Sequence, residues 1–305
     1  MRLKLATFNL NNLGRADVPD PGHYSAKLAY LAEVLRRINA DVIVVNEVRE
    51  AESFEELAGL LGGYSTRFLG DAPADRRSVR TGILARFENS AQGQWHDYPA
   101  VLPGRPELVK LRFSRPVPWL RLEMGGAGRV FVAGVHLKSW RAANEDMPEG
   151  ETLRRRSLLG RSLASAVRSA EAAGLRCLLD GIMDTGLADH YAVMGDFNDR
   201  LDSNAVVFVC GLEDEDAGEL KLNEVRRLYP AGWWAGEGRR FSYVRHGRRE
   251  LFDHILVSRG LSLGLVAAGA ESQLLEPVHA RRYDEGGQYG RSDHAPAWAE
   301  FRMSG

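Results

Sequence analysis

The sequence predicts an α/β protein built on mixed β-sheets, and three observations predict that fold class. Short, continuously apolar runs recur along the chain, as in residues 42–45, and such runs are typical of strands covered on both faces. Amphipathic helix patterns separate some of these strands. Several other strands follow one another without a crossover helix, which favours a mixed-sheet sandwich over a Rossmann fold or a (β/α)8 barrel.

Length and composition limit the class of protein. The chain has 305 residues, 44% hydrophobic and 27% charged, which excludes a wholly disordered or fibrous protein. No linker or internal repeat interrupts the pattern, so we interpret residues 1–305 as a single domain. The net charge of -1 gives no global positive field that would attract nucleic acid. Of the 40 basic residues 35 are arginine, whose guanidinium binds phosphate or carboxylate through two parallel hydrogen bonds.

The two cysteines and the hydropathy pattern bear on location. Cys177 and Cys210 are too few for a disulfide scaffold or a four-thiolate zinc site, and we expect both to be buried free thiols in a reducing compartment. No apolar run approaches the ~18 residues of a membrane-spanning helix. The first strand begins almost at once, with no signal-peptide core. We therefore expect a cytoplasmic protein with no stable membrane association and no obligate protein partner.

The first half of the chain gives the clearest elements. Residues 3–8 predict a strand that ends in a run of asparagines. Ser25 is a candidate cap for a helix whose apolar stripe includes Leu28, Leu31 and Leu35. After the strand at residues 42–45, Ser53 and Glu56 form a capping-box pattern for a second helix, which stops at residues 62–63.

The second half is more irregular. Residues 82–87 and 129–135 predict strands, with a proline-punctuated irregular region between them. A long helix is expected from about Thr152 to Ala173, closed by Gly174. The remaining clear strands are residues 191–194, 251–257 and 297–301, and arginine- and glycine-rich loops are expected at residues 70–80, 141–156, 232–249 and 279–291.

Polar residues stand where the apolar strands end, and they define the candidate site. Neighbouring strands bring such residues together at one edge of a sheet. Five such junctions, together with a sixth polar segment inside a strand at residues 252–254, contain four carboxylates, two amides and two imidazoles: Glu47, Asp196, Asp253, Asp293, Asn9, Asn198, His136 and His294. Carboxylate and amide oxygens are hard ligands that suit Mg²⁺, and also Mn²⁺ or Ca²⁺. Without a cation, carboxylates gathered at one place would repel one another.

Spacing suggests how these groups act. Asp196 and Asn198 are two residues apart, which in extended backbone places both side chains on one side. Asp253 stands inside an apolar strand, where a carboxylate needs a partner, and His294 could supply it and stay protonated. His136 could supply a second cationic imidazole from the opposite side. Taken alone, each of these polar segments has a structural explanation. The segment at residues 196–198 could be an Asx-turn, and His136 could be a hydrogen-bonded structural residue. Their joint occurrence supports a function.

Six segments, in this order, resemble the motif series of the endonuclease/exonuclease/phosphatase superfamily, which has the deoxyribonuclease-I-like fold. The resemblance runs from about residue 3 to residue 301. The segments are Thr7-Phe8-Asn9, Val45-Asn46-Glu47-Val48, Val135-His136-Leu137-Lys138-Ser139, Gly195-Asp196-Phe197-Asn198, Phe252-Asp253-His254-Ile255-Leu256 and Ser292-Asp293-His294.

The resemblance implies a four-layer α/β/β/α sandwich, in which two mixed β-sheets pack face to face with helices outside. It implies a divalent-metal-dependent phosphoric ester hydrolase. Glu47 resembles the main metal ligand, with Asn9 and Asp293 close to the ion. Asp196 resembles the residue that activates water, with Asn198 as its companion. His136 and His294 resemble the phosphate-binding pair of imidazoles, with Asp253 supporting His294. Asn11 stands where some nuclease members carry an aspartate.

Substrate is predicted from the arginines and aromatics near the site. Lys138, Arg141, Arg80 and Asn11 are the candidate substrate-binding residues, and a locally basic rim with tryptophans suits single-stranded or distorted nucleic acid. A nuclease acting on DNA or RNA is therefore the favoured function. The alternatives are a phosphatase or phospholipase-C-type phosphodiesterase acting on inositol phosphates, nucleotides or sphingomyelin, and a non-catalytic binding scaffold. A lipid substrate would need an exposed apolar segment, for which Trp233 and Trp234 are the candidates unless they pack their loop onto the body.

Overall fold

A computed structural model describes residues 1–15, 21–73, 79–141, 152–211, 226–245, 247–275 and 291–303. The described residues contain strands β1 (Arg2–Leu13), β2 (Val42–Val48), β3 (Thr66–Leu69), β4 (Arg80–Ala85), β5 (Asn89–Leu102), β6 (Arg105–Glu123), β7 (Arg129–His136), β8 (His190–Asp196), β9 (Leu228–Pro230), β10 (Tyr243–Arg245), β11 (Arg248–Glu250), β12 (Asp253–Ser258), β13 (Leu265–Ala270) and β14 (Ala297–Arg302). The α-helices in the same residues are α1 (Pro21–Ile38), α2 (Ala51–Leu61), α3 (Leu153–Asp184), α4 (Asn204–Cys210) and α5 (Arg259–Leu263).

Twelve of the strands form two mixed six-stranded sheets. The first has the order β13-β14-β1-β2-β4-β3 and the second the order β5-β6-β7-β8-β12-β9, while β10 and β11 form a separate hairpin. One parallel pair lies inside each sheet, β1 with β2 and β7 with β8, and the other pairings are antiparallel. These parallel pairs put the carboxyl ends of neighbouring strands at the same edge.

Successive side chains of a strand point to opposite faces of its sheet, and this alternation explains how the sheets and helices are layered. In β1, Leu3 and Leu5 face a core shared with the second sheet, whereas Ala6 and Phe8 face a core shared with α1 and α2. The second sheet packs its outer face on α3 and α4. The order of layers is therefore helix, sheet, sheet, helix, which confirms the four-layer α/β/β/α sandwich. The three cores account for the continuously apolar strands, because both faces of each sheet are buried.

The region expected to be irregular between residues 87 and 129 is instead the long hairpin of β5 and β6. Prolines suggested a loop, but they stand where a missing N–H is harmless. Pro99 lies in β5, an edge strand, and Pro116 lies in the stretch where the register shifts between Trp95 and Asp97. The hairpin therefore tolerates residues that would break a central strand.

Helix boundaries also differ from the sequence prediction. Ser25 is not a cap but lies inside α1, where its hydroxyl donates to the carbonyl of Pro21. Ser53 is likewise inside α2, whose N-cap is Glu50. Thr152 does cap α3, accepting the N–H of Arg155, but that helix runs past Gly174 to Asp184. Gly174 packs against Tyr98, where a Cβ would lie 2.3 Å from a ring carbon, so its small size serves packing and not termination.

Two further expectations need correction. Cys210 is a buried free thiol, whereas Cys177 is exposed on α3. Trp233 and Trp234 do not pack their loop onto the body, because they are 57% and 72% exposed. Among the described residues, no helix is both long and apolar enough to span a lipid bilayer.

Candidate active site

Strand ends from both sheets meet at one edge of the sandwich. In the parallel pairs, Asn9 of β1 is opposite Asn46 of β2, and His136 of β7 is opposite Asp196 of β8. On its other side Asp196 is opposite Asp253, the first residue of β12. Asp196 therefore has a candidate site residue beside it on each neighbouring strand.

Asp196 is the centre of the cluster and is buried. The side-chain amide of Asn9 donates to its Oδ2 at 3.0 Å and to Oε1 of Glu47 at 3.2 Å. His136 Nε2 is 3.6 Å from Asp196 Oδ2 and 3.9 Å from Glu47 Oε1. His294 Nε2 is 3.9 Å from Asp196 Oδ2. Residues separated by up to 285 positions in the sequence thus share one small volume.

His294 and Asp253 form a close buried pair, with Nδ1 2.7 Å from the carboxylate Oδ2. Burial lowers the pKa of His294, but the carboxylates of Asp253 and Asp196 outweigh it and raise that pKa well above its ordinary value. The imidazole is therefore protonated at neutral pH. It presents its Nε2–H toward Asp196 and the adjoining space, where it can donate to a negatively charged oxygen.

His136 has the opposite character. Burial lowers its pKa well below the ordinary value, and the positive charges of Arg115, His294 and Lys138 lower it further. Within the described residues, its Nδ1 has no hydrogen-bond partner. His136 is therefore neutral at pH 7, which contradicts the expectation of a second cationic imidazole. A neutral ring donates one hydrogen bond and accepts another.

The pKa of Asp196 is also displaced. Burial raises it and the positive charge of His294 lowers it, while Asp253 raises it, with a result of about 7. A carboxylate with this pKa exchanges a proton readily near neutral pH, which is what a general base requires. Hydrogen bonds from Asn9 and from the N–H of Asn198 hold its orientation.

The donor atoms fit a hard divalent cation. Glu47 is on the open side of the cluster, with 21% of its side chain exposed, and its carboxylate is held by Asn9 and by the N–H of Asn12 at 3.0 Å. The second carboxylate, Asp196, is buried and has a raised pKa, so a cation beside it would compensate a charge that burial disfavours. Ligand atoms of Asp196, Asp253 and His294 also lie within 4.8 Å of one another, but the 2.7 Å contact of the latter two is a hydrogen bond.

Residues with a left-handed backbone conformation, in which φ is positive, are concentrated at the strand ends that form the candidate site. Four of the five non-glycine residues with positive φ in the described chain belong to these strand ends: Asn11, Asn12, Glu47 and Asn198. Such conformations cost free energy and tend to cluster at functional sites. They also explain two differences from the sequence prediction. The first strand does not end at Phe8 but continues irregularly through Asn11 to Leu13.

Asn198 is the second difference. The chain is not extended from Asp196 to Asn198 but turns, with φ of 52° at Asn198 and its N–H donating to Asp196 Oδ1 at 2.8 Å. This is the Asx-turn that was the structural alternative. Its side-chain amide donates to the carbonyl of Leu137 at 3.0 Å, which ties the turn to the end of β7. The turn keeps Asn198 beside Asp196.

The other predicted residues lie at varying distance from this cluster. Asp293 is half-buried and directly precedes His294 in the chain, and within the described residues its carboxylate accepts no hydrogen bond. Arg80 begins β4 opposite Val48, and Asn11 hydrogen-bonds Asn12. Lys138 is half-buried and Arg141 is exposed. Large parts of the arginine- and glycine-rich loops expected at residues 70–80, 141–156 and 279–291 lie outside the described residues.

Asn46 is a site residue to which sequence reasoning gave no role. It is fully buried, and its side chain crosses from the first sheet to the second. Its amide donates to the Val135 carbonyl at 2.9 Å and to Thr81 Oγ1 at 3.0 Å, and its oxygen accepts the N–H of Asp196 at 3.0 Å. The only signal in the sequence is a single amide within an apolar run.

Two buried charged residues of α3 were also missed. The Glu171 carboxylate accepts the N–H of Lys138 at 2.7 Å and that of Ser114 at 2.6 Å. One helical turn earlier, Arg168 donates to the Lys138 carbonyl at 3.0 Å and to Asp199 at 2.8 Å. These contacts fix the segment after His136 to the segment after Asp196. The signal would have been charged residues on the helix face that packs on the sheet.

A cleft of about 670 Å³ opens directly beside Asn198. Its walls combine aromatic rings, guanidinium groups and two carboxylates, contributed by Trp140, Phe252, Arg161, Arg168, Arg200, Arg248, Asp199 and Glu250. Four positive charges against two negative ones make this a basic region of a protein whose net charge is -1. Most of these residues lie in loops or in helices, so the search for polar residues at strand ends could not identify them.

The sandwich and the carboxylate-imidazole cluster at its edge define a class of protein, the metal-dependent phosphoric ester hydrolases. A model of the Endonuclease/Exonuclease/phosphatase family matches residues 6–294. The chain belongs to that family, as the sequence motifs predicted.

Solved structures show the same fold at low sequence identity. An endonuclease/exonuclease/phosphatase from Bacteroides vulgatus aligns with a TM-score of 0.63 and 14% identity, covering 100% of both chains. Another from Beutenbergia cavernae gives 0.61 and 17%, covering 100% of this chain and 72% of that one. Truncated Caenorhabditis elegans TDP2 gives 0.59 and 16%, covering 98% and 97%. No curated protein sequence matches the chain.

Proposed function

We propose that this protein is a divalent-metal-dependent nuclease that hydrolyses phosphodiester bonds of DNA or RNA, with residues 1–305 acting as one catalytic domain. The observation that carries the choice of nucleic acid is the cleft beside Asn198, where guanidinium groups and aromatic rings adjoin the reaction centre. Guanidinium groups suit a phosphate backbone and aromatic rings suit bases. A small phosphate ester without a base would use the guanidinium groups of this cleft but not its aromatic rings.

The residues divide the work of an in-line attack by water. Asp196 Oδ2 accepts the proton of the attacking water, because its pKa of about 7 makes it a base near neutral pH. Asn9 and Asn198 hold that carboxylate in position. Protonated His294, oriented by Asp253, donates its Nε2–H to a non-bridging phosphate oxygen and stabilises the charge that develops there. The neutral ring of His136 places its Nε2 near the carboxylates of Glu47 and Asp196.

Glu47, with Asn9 and Asp293, would hold the metal ion, for which hard oxygen donors favour Mg²⁺, with Mn²⁺ or Ca²⁺ as alternatives. When bound, a divalent ion supplies Lewis-acid neutralisation of charge on the phosphate. Lys138, Arg141, Arg80 and Asn11 remain candidate substrate contacts at the rim of the site.

The test is a substrate panel with Mg²⁺, Mn²⁺ or chelator: duplex DNA, single-stranded DNA, RNA, inositol phosphates, a cyclic dinucleotide and sphingomyelin vesicles. We expect metal-dependent degradation of nucleic acid that weakens steeply with salt. Asp196→Ala and His294→Ala should each lower turnover by roughly two orders of magnitude or more, with unchanged circular dichroism. Near-normal turnover in both variants would defeat the assignment.

One observation favours a second candidate, a phospholipase-C-type phosphodiesterase. Trp233 and Trp234 are adjacent and mostly exposed, as a membrane-contacting segment would be. Hydrolysis of sphingomyelin in vesicles, abolished in a Trp233→Ala/Trp234→Ala double variant that still hydrolyses a short-chain analogue, would replace the nuclease proposal with this one.

A further inference from the structure

We propose that the cleft beside Asn198 binds one unpaired nucleotide of the substrate strand, with its base against an aromatic side chain and its phosphate on an arginine. This inference rests on the proposed nuclease function and narrows it to single-stranded or unpaired substrates.

Size and position suit one nucleotide next to the scissile bond. The volume of about 670 Å³ lies within the range of roughly 300–1,000 Å³ that small-molecule sites occupy. Asn198 lines this cleft and also donates its N–H to Asp196. A group in the cleft is therefore adjacent to the carboxylate that activates water. A whole duplex is too large to enter, but one residue of a strand is not.

Two guanidinium groups of the cleft are available to an anion. Arg168 is occupied by Asp199 at 2.8 Å, and the Nε of Arg200 is 3.4 Å from Asp202. Across the described ranges, neither Arg161 nor Arg248 forms an ion pair, and both are exposed. Arginines at a cleft wall that lack a carboxylate partner are suited to the planar, two-point binding of phosphate.

The aromatic residues connect the cleft to the reaction centre. The guanidinium of Arg161 lies 5.6 Å from the ring centroid of Trp140, so this arginine and the indole act together at one wall. On the other side Phe252 stacks on Tyr243 with centroids 5.3 Å apart, and Tyr243 is 4.8 Å from His294. The cleft thus adjoins the catalytic cluster through Asn198 and through an aromatic contact chain.

The base that enters must be unpaired. In a duplex both faces of a base are covered by its neighbours, and a base reaches an aromatic side chain of the protein only after unstacking, which costs free energy. A single strand offers its bases freely, and stacking each base on an aromatic side chain contributes about 1–3 kcal/mol. The cleft therefore discriminates in favour of single strands, overhangs and flaps.

Binding is measured first, with the full chain in chelator and a fluorescein-labelled twelve-nucleotide thymidine strand, by anisotropy across a salt series. Trp140→Ala should weaken binding about 5- to 150-fold with an unchanged salt slope, and Trp140→Phe should restore most of the affinity. Arg248→Gln should reduce the slope of log K against log salt by about 0.7, the loss of one phosphate contact. Arg249→Gln is the matched control, because Arg249 is on the same strand but lies over Phe241.

Hydrolysis separates this inference from the function on which it rests. With Mg²⁺ the wild type should cleave the single strand at least ten times faster than the same sequence in a blunt duplex. Trp140→Ala should lower kcat/KM for the strand at least fivefold more than for methyl p-nitrophenyl phosphate, which has no base. Retained circular dichroism and the Trp140→Phe variant control for misfolding.

The outcomes are distinct. If the wild type degrades nucleic acid but Trp140→Ala and Arg248→Gln bind and cleave as the wild type does, the cleft inference is wrong and the nuclease proposal stands. If the wild type hydrolyses the small diester and neither binds nor cleaves any nucleic acid, the nuclease proposal itself is wrong. Equal cleavage of duplex and single strand overturns the preference for unpaired substrates.

Discussion

The side-chain oxygen of Asn46 in β2 accepts the backbone N–H of Asp196 in β8 at 3.0 Å, across the interface between the two sheets. The same side chain donates to the carbonyl of Val135, one residue before His136. The carboxyl ends of β7 and β8, which carry His136 and Asp196, are thus held by an amide from the opposite sheet. Register between the sheets is set here by hydrogen bonds as well as by apolar packing.

Asn46→Ala should destabilise the protein and slow it. It leaves the Val135 carbonyl, the Asp196 N–H and the Thr81 hydroxyl without their partner, at about 1–3 kcal/mol for each buried group left unsatisfied. We expect the free energy of unfolding in urea to fall by about 3 kcal/mol and kcat to fall with it. Asn89→Ala, at an exposed asparagine, is the control. A change at position 46 no larger than that of the control would contradict the bridging role.

Binding of the divalent metal ion, and with it hydrolysis, should require Glu47. Chelator should abolish hydrolysis and Mg²⁺ should restore it. Glu47→Gln keeps the shape of the side chain but removes its charge, so calorimetric titration of the whole protein with Mn²⁺ should give an affinity at least about tenfold weaker. Glu52→Gln, in the exposed first turn of α2, should bind Mn²⁺ as the wild type does. Equal affinities in the two variants would place the ion elsewhere.

Glu171 should give the stability a specific pH dependence. Burial raises its pKa, and the N–H groups of Ser114 and Lys138 and the charge of Arg115 offset this only in part. A raised pKa in the folded chain contributes stability that is fully present below the unfolded value, about 4.3, and is lost as the pH rises through the folded value. Glu171→Gln has no ionisable carboxyl group at this position, so its stability lacks this pH dependence.

The free energy of unfolding of the wild type, relative to Glu171→Gln, should therefore fall as the pH rises from 4 to 8. Urea denaturation at several pH values measures this difference. Glu107→Gln, exposed on the β5–β6 hairpin, should run parallel to the wild type throughout. A Glu171→Gln curve that also runs parallel would show that this carboxyl titrates alike in the folded and unfolded chains.

Gly195→Ala should be among the most damaging small substitutions. A Cβ on Gly195, whose φ is 148°, would lie 1.9 Å from the Val135 carbonyl oxygen, so β7 or β8 would have to move where His136 and Asp196 are placed. We expect a loss of more than about 2 kcal/mol in stability together with activity. Gly236→Ala, where a Cβ meets nothing within 4 Å, is the control. If Gly195→Ala and Gly236→Ala unfold at the same temperature, the close contact between Gly195 and the Val135 carbonyl does not limit the residue at this position.

The sequence made the strand ends of the site visible because each one is an abrupt change from apolar to polar residues. Asn9 and Asp196 could be found in that way, and Asp253 could be found as a carboxylate within an apolar run. The fold followed from strands buried on both faces. Their convergence depends on strand order, which a single sequence does not contain. The family resemblance supplied that order.

What could not be predicted has two physical causes. A buried polar residue looks in sequence like a solvated one, so Asn46 and Glu171 had no distinguishing pattern. Local signals also lose to tertiary context: Pro99 is acceptable in an edge strand, and Gly174 remains helical because it packs on Tyr98. In both cases the deciding contact comes from a remote part of the chain.

The pairing of β1 with β14 has a consequence for biosynthesis. Leu3 of the first strand is opposite Phe301, and the hydroxyl of Ser292 donates to the carbonyl of Asn9. A nascent polypeptide emerging from the ribosome has no neighbour for that side of β1 until residues 297–302 have been translated. His294 is also synthesised late, so the polar cluster around Asp196 can be completed only after the preceding strands of both sheets are available.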